Sequence, residues 1–331
     1  MIRIQGGIIQ LRINVIIPAY NSESTIEKAI KSAIELNKYV DTRVVVIDDG
    51  STDKTYIIAE SYKKQIVLLR NKGKGVSSAR NEGLEFLINE KTEDEWITFL
   101  DADDVLVEDA FKEISTRKYN SFEYINFCFK EGTPFISETI SSERASYYAI
   151  KSLKNKNYNF NSPWGRVLKL DFIKKYNLKF DENLSYKEDM LFNIQCFKYM
   201  PRIITLQNIG YEHVNSESSV INNFIPSALS DEKYIYAQVK KMFMNKNKLE
   251  EMERLVGTIG LTFVYVFPKN TNSKILLNGK KRFYEVRKFL GHVEVNKAFK
   301  ELNKIDFTII ILYKFGLYRF MKLLFKMKGR I

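Results

Sequence analysis

The chain has 331 residues, 45% of them hydrophobic, which is enough for a buried core and leaves room for one large domain with an appendage or for two domains. With two cysteines, Cys128 and Cys196, and two histidines, His213 and His292, there is no CxxC pair and no Cys/His zinc cluster. The net charge is +12 and it is concentrated: residues 1–230 hold 30 basic against 31 acidic side chains, residues 231–331 hold 22 against 9. A nearly neutral body with a basic tail suggests chemistry in the first two thirds and attachment to something anionic in the last.

Residues 1–12 contain no long apolar region and no small-residue cleavage site, so a cytoplasmic location is expected. NVIIP at 14–18 predicts a strand. The stretch after it predicts a helix with Ile26, Ala29, Ile30, Ala33 and Ile34 on one face, and Ser24 with Glu27 at capping-box spacing. A second apolar run, 44–47, ends in Asp48, Asp49 and Gly50, with Ser51 or Thr52 placed to cap a helix. A third, 66–69, leads through NKGKGVSSARNEG into a helix reaching Ile88, and the fourth, WITFL at 96–100, stops abruptly in Asp101, Asp103 and Asp104. Four strand-then-helix units predict an α/β chain with a doubly wound, mostly parallel, Rossmann-like sheet.

Ligands of such sheets sit beyond the carboxyl ends of the strands. Three ends carry polar groups suited to a nucleotide: Tyr20 and Asn21, then Asp48 and Asp49, then Asp101 and Asp103. A tyrosine offers a base a stacking face, an aspartate accepts from a base N–H or a ribose hydroxyl, and carboxylates suit a hard cation beside a diphosphate. For the last pair two readings stand, a divalent-cation site or an acidic cap for the next helix. Lys72, Lys74 and Arg80 around Gly73 and Gly75 form a basic neighbourhood, but GKGVSS is not GxGxxG and no GxxxxGK[ST] occurs.

Residues 105–118 predict a helix and FEYINFCF at 122–129 a strand, after which 130–160 are polar and loop-like, suited to an acceptor-side segment. Trp164 offers an aromatic face or a core side chain, and Glu188 and Asp189 stand at a predicted helix start. From residue 222 the composition shifts. Residues 255–267 are apolar but too short to span a bilayer, and the last stretch interrupts its apolar residues with Lys314, Arg319, Lys322, Lys326, Lys328 and Arg330. A helical wheel sets Arg319, Lys322, Lys326 and Arg330 opposite Phe320, Leu324 and Met327, the pattern of an interfacial helix facing anionic headgroups. The other reading is a helix packed on the body with a solvated basic face.

Taken in order, VIIPAYNSESTIEKAIKS, VVVIDDGSTDKT, NKGKGVSSARNEG, WITFLDADD, PWGRVLKLDFI and FDENLSYKEDMLF resemble the GT-A-fold, family-2 nucleotide-sugar glycosyltransferases, especially bacterial members that build capsule, O-antigen or lipooligosaccharide. The resemblance spans residues 13 to 220. It implies a catalytic domain at 13–222, an N-terminal extension at 1–12 and a basic helical region at 223–331. By resemblance Pro18, Tyr20, Asn21, Asp49, Arg80 and Asp101 bind the nucleotide-sugar, and Asp103 with Asp101 holds Mg²⁺ or Mn²⁺. Asp104 is left as the helix cap.

It further implies Asp189 as the base of an inverting transfer from a donor, UDP-linked by preference, to a saccharide or lipid-linked saccharide acceptor. Trp164, Arg166, Glu188 and His213 fall on the acceptor or diphosphate side. Arg166 stands where lysine is usual, and Val214 where the family has arginine. The expected location is peripheral, on the inner face of the plasma membrane, by way of the basic helices. Two other classes fit the charge and acids less well. A nucleic-acid-binding protein would be expected to carry one of its motifs, and none is present. A metal-dependent nucleotidyltransferase needs a Gly-rich basic loop where AYNSES stands.

Overall fold

The computed structural model describes residues 11–90, 94–116, 119, 121–128, 138–141, 144–146, 149, 160–199, 202–214, 224–242, 250, 257, 259, 261–268, 278–291 and 304–327, with backbone alone at 4–5 and 8–9. The predicted loop at 130–160 lies largely outside them. Two short strands, β1 (Ile4–Gln5) and β2 (Ile8–Ile9), pair as an antiparallel hairpin. The alternating units follow: β3 (Arg12–Ala19), α1 (Ile26–Glu35), β4 (Asp41–Asp48), α2 (Thr55–Ser61), β5 (Ile66–Arg70), α3 (Val76–Asn89) and β6 (Glu95–Phe99). Next come β7 (Val105–Leu106), α4 (Glu108–Ile114), β8 (Tyr124–Cys128), β9 (Glu138–Ser141), β10 (Arg166–Lys169), α5 (Leu170–Tyr176), α6 (Glu188–Tyr199), β11 (Arg202–Ile209) and β12 (Tyr211–Glu212). Helices α7 (Ala228–Met242), α8 (Gly279–Leu290), α9 (Lys304–Lys314) and α10 (Tyr318–Met327) complete the described elements, with a π-helical turn at Thr262–Val266.

Eight strands form one sheet in the order β5-β4-β3-β6-β10-β8-β11-β9. The β5-β4-β3-β6 half is parallel, and β10 runs antiparallel to both β6 and β8. The centres of the parallel strands are mainly apolar because helices cover both faces: Val15, Ile16, Ile17, Val45, Val46 and Ile97 are all buried, with Asn14 and Thr98 the polar residues among them. Helix α1 buries Ile26, Ala29, Ile30 and Ala33, the face its spacing predicts. Its N-cap is Thr25, not Ser24, and the turn is closed by Ser22 O, which accepts from Thr25 N and Ile26 N. The predicted helix over 105–118 is a shorter one. Val105 and Leu106 pair with Glu212 and Tyr211 instead, so helical backbone begins only at Glu108.

The described chain divides into two compact units. One comprises Met1–Ala149, Lys156–Glu182 and Glu188–Ser216, the other Ile150–Asn155, Asn183–Lys187 and Glu217–Ile331. The second has its own core, in which Phe267, Phe283, Tyr313, Met321 and Phe325 are buried together. Phe325 stacks on Phe267 with ring centroids 4.7 Å apart. That contact selects the stripe of α10 that faces inward, and it shares only Leu324 with the stripe the wheel picks. Met321 and Phe325 are buried, so Phe320 and Met327 point outward beside Arg319, Lys322 and Lys326. Among the described residues no helix is long and apolar enough to cross a membrane.

Candidate active site

Because β3, β4 and β6 are parallel neighbours in register, the residues just past their carboxyl ends share one edge of the sheet. At that edge Pro18, Ala19, Tyr20, Asp49, Lys74, Gly75 and Val76 line a cleft of about 350 Å³. Tyr20 is exposed, its ring presented to solvent. Asp49 is held from behind: Asn71 Nδ2 donates to its Oδ1 at 2.6 Å, and Gly75 N donates to Oδ2 at 2.8 Å. Gly75 has φ of +93°, a conformation that a side chain disfavours, and this lets its N–H turn toward Asp49 at the start of α3. Asn21 does a different job. Its side-chain oxygen accepts from Thr52 N at 2.9 Å, tying the turn after β3 to the turn after β4. Lys72 lies on the surface, paired with Glu82 at 2.8 Å.

The acids after β6 meet a buried cation. Arg80 on α3 is 6% exposed, donates from Nη2 to Asp101 Oδ1 at 3.0 Å, and from Nη1 to Glu188 Oε1 at 3.3 Å. Its guanidinium lies over the Phe180 ring, 5.2 Å from the centroid. Burial works against its charge, but Asp101, Glu188 and Asp189 more than offset that and hold its pKa above the ordinary value. Asp189 is half-buried at the start of α6 and accepts from Met190 N at 2.7 Å. Burial first, then the neighbouring Glu188 carboxylate, push its pKa up to about 7, with Arg80 pulling the other way. A carboxylate poised near neutrality has the pKa that a general base requires.

Asp103 and Asp104 are separated by their surroundings. Asp104 is buried and does not cap α4. Its Oδ2 accepts from Tyr211 Oη at 2.7 Å and faces His213 Nδ1 at 2.9 Å, and its Oδ1 accepts from Val214 N at 3.1 Å. It fastens the end of β12 to the turn after β6. Tyr211 Oη also accepts from Asp101 N at 3.3 Å, so this hydroxyl joins the two aspartates. The hydrogen bond with Asp104 holds the His213 pKa above the ordinary value, against the effect of burial. Trp164 stacks on Tyr211 at 4.6 Å and meets the His213 ring edge-on at 4.2 Å, half-buried in this aromatic group.

Arg166 lies in the interior. It is fully buried, hydrogen-bonded to Tyr124 Oη, to Trp164 O at 3.0 Å and to Asn193 Oδ1 at 3.1 Å. Asn193 Nδ2 in turn donates to Asp189 O at 3.1 Å, so Arg166 lies beneath the helix that carries Asp189. Asn81, beside Arg80, also serves the fold. Its side chain bonds both the N–H and the carbonyl of Phe180 at 2.9 Å. Asn71 and Tyr211 went unnoticed in sequence: Asn71 is an ordinary loop residue, and Tyr211 pairs with partners more than 100 residues away.

The sheet, its helices and the acids at its edge have the GT-A fold, and the class they define is glycosyltransferase. Residues 14–176 match the family model for Glycosyl transferase family 2, and the chain belongs to that family. A cholesterol galactosyltransferase of Borreliella burgdorferi is 23% identical over 77% of this chain and 74% of its own length. Staphylococcus aureus TarS residues 1–349, solved with UDP-GlcNAc, superposes with TM-score 0.59 and 19% identity over 84% of this chain and 81% of that one. A mannosyltransferase of Pyrobaculum calidifontis, solved with GDP-Man and Mn²⁺, has TM-score 0.53 and 14% identity over 96% and 88%.

Proposed function

We propose that the chain transfers a sugar from a nucleotide-sugar, UDP-linked, to a hydroxyl of a saccharide or lipid-linked saccharide acceptor, with inversion. The carrying observation is that Asp101, Arg80, Glu188 and Asp189 meet where α6 begins, and Asp101 and the Tyr20/Asp49 cleft share one edge of the sheet. In this reading Tyr20 stacks on the base and Asp49, fixed by Asn71 and Gly75, accepts its N–H. Asp189 takes the proton of the acceptor hydroxyl. The hydroxyl oxygen attacks the anomeric carbon from the side opposite the diphosphate, whose bond to that carbon breaks. One displacement inverts the centre. The stretch from Glu217 onward is assigned to attachment.

The donor set suits a hard divalent cation. Mg²⁺ or Mn²⁺ is commonly held by one or two carboxylates plus substrate phosphates. Asp101 and Asp103 supply that number on the half-exposed turn after β6, and no group of three His, Cys, Asp or Glu ligands exists among the described residues. Asp103, with Asp101, would hold the ion, which when bound offsets charge developing on the diphosphate. Titrating UDP-sugars and GDP-sugars by calorimetry, with Mn²⁺ and then with EDTA, tests donor and metal together. Binding of a UDP-sugar with Mn²⁺ and its loss in EDTA are expected. Equal binding in EDTA would remove the metal, and no binding of any nucleotide-sugar would overturn the reading.

For the acceptor side we take an anionic lipid surface as the partner of the second unit. Phe315, Phe320, Leu323 and Met327 are exposed, the last at 80%, and stand among Lys314, Arg319, Lys322 and Lys326. Outward apolar side chains flanked by cations match an interfacial helix, with about 1 kcal/mol for each basic residue near an anionic leaflet. Flotation with phosphatidylglycerol vesicles should capture the protein where phosphatidylcholine vesicles do not, and Phe320→Glu with Leu323→Glu should release it. Capture by both lipids alike, or a dimer built on this face in sedimentation, would refute the assignment.

A further inference from the structure

We propose that Lys187 is a positioning residue for the catalytic acids: its buried ion pair with Glu232 sets where Glu188 and Asp189 begin α6, a role that rests on Asp189 being the base. Lys187 Nζ lies 2.7 Å from Glu232 Oε2, each side chain 5% exposed. Lys187 has φ of +59°, left-handed backbone that a non-glycine residue adopts only where its surroundings impose it.

The second unit takes in Asn183–Lys187 although the segment interrupts the first in sequence. Tyr186 packs against the core containing Phe267 and Phe283. Ser185 N donates to Asp231 Oδ2 at 3.2 Å, and Ser227 Oγ donates to the same oxygen at 2.8 Å. Glu232 itself depends on Gly257, where an added Cβ would stand 1.4 Å from Glu232 Oε1. Consecutive residues of α7, Asp231 and Glu232, thus grip the chain at Ser185 and Lys187. One peptide bond further on is Glu188, which binds Arg80, and the next residue is Asp189. The grip is aimed at the two acids because Lys187 is the last residue before them.

Three substitutions distant in sequence remove the same constraint. Lys187→Gly keeps the left-handed backbone accessible and deletes the ammonium. Glu232→Gln keeps the shape and deletes the charge, and Gly257→Ala displaces the carboxylate. Each should lower kcat by about 10- to 100-fold, the cost of a base displaced by an ångström or less, while the Kd for UDP with Mn²⁺ is unchanged, since the cleft at Tyr20 and Asp49 is built from other elements. Lys187→Arg should restore part of the rate. Asp189→Asn run alongside separates the two hypotheses. If that variant turns over normally, the base assignment fails and takes this proposal with it. If it is inactive while the three variants keep full kcat, only the proposal is overturned. Loss of UDP binding in step with kcat also overturns it, because the pair would then merely support the fold.

Discussion

Asp189→Asn is expected to lower turnover by about 10² to 10⁴, the contribution of a positioned general base, while UDP with Mn²⁺ binds as to the wild type. The amide keeps the size of the carboxylate but cannot accept the hydroxyl proton. The wild-type pH profile gives the same group a second signature. With a pKa near 7, Asp189 is protonated and idle at pH 5, so kcat/KM should fall as pH drops through about 7. The variant's residual activity should lack that limb. Stability runs the opposite way. A carboxyl whose folded pKa lies above its unfolded value is bound to a proton more firmly in the folded state, so its contribution falls as pH rises from about 4 to 7. The melting temperature of Asp189→Asn relative to wild type should therefore climb across that window and level off above it. Near-wild-type transfer by this variant would remove Asp189 from the mechanism.

The parallel half of the sheet was readable in sequence because its strands are buried on both faces and appear as apolar runs, each followed by polar residues at the same sheet edge. Asp49, Asp101 and Asp103 were therefore visible by position. The other half was harder. Strands β8, β10, β11 and β9 pair out of chain order, and nothing in Arg166–Lys169 announces that it lies between β6 and β8. Roles set by a spatial neighbour were also out of reach. Asp104 looked like a helix cap until β12 brought Tyr211 and His213 to it, and Arg166 matched an acceptor-side motif until Tyr124 and Asn193 enclosed it. On α10 both a basic and an apolar stripe are present, and it is the core around Phe267, Phe283 and Tyr313 that decides which residues are buried. Lys187 carries no sequence signal for a partner 45 residues away.

Arg80→Met is expected to cost about 3 kcal/mol of stability at pH 7.5, the low end of the range for removing one partner of a buried ion pair. The low end applies because Asp101 is 30% exposed and retains some solvent, whereas Arg80 is 6% exposed. Methionine fills much of the volume over Phe180, so the loss is electrostatic more than steric. Asp101, Glu188 and Asp189 are left as neighbouring carboxylates without their shared cation, and proton uptake by Asp189 relieves the repulsion. The sign follows from that. Arg80 lowers the Asp189 pKa in the wild type, so removing it should move the acid limb of the rate profile to higher pH, leaving less active base at neutrality. The destabilisation should shrink toward pH 5, where Asp189 of the variant is protonated, and denaturant titrations at pH 5 and 7.5 would show it. An equal loss at both values would mean that Arg80 acts through packing on Phe180, and that the acids at the sheet edge do not share its charge.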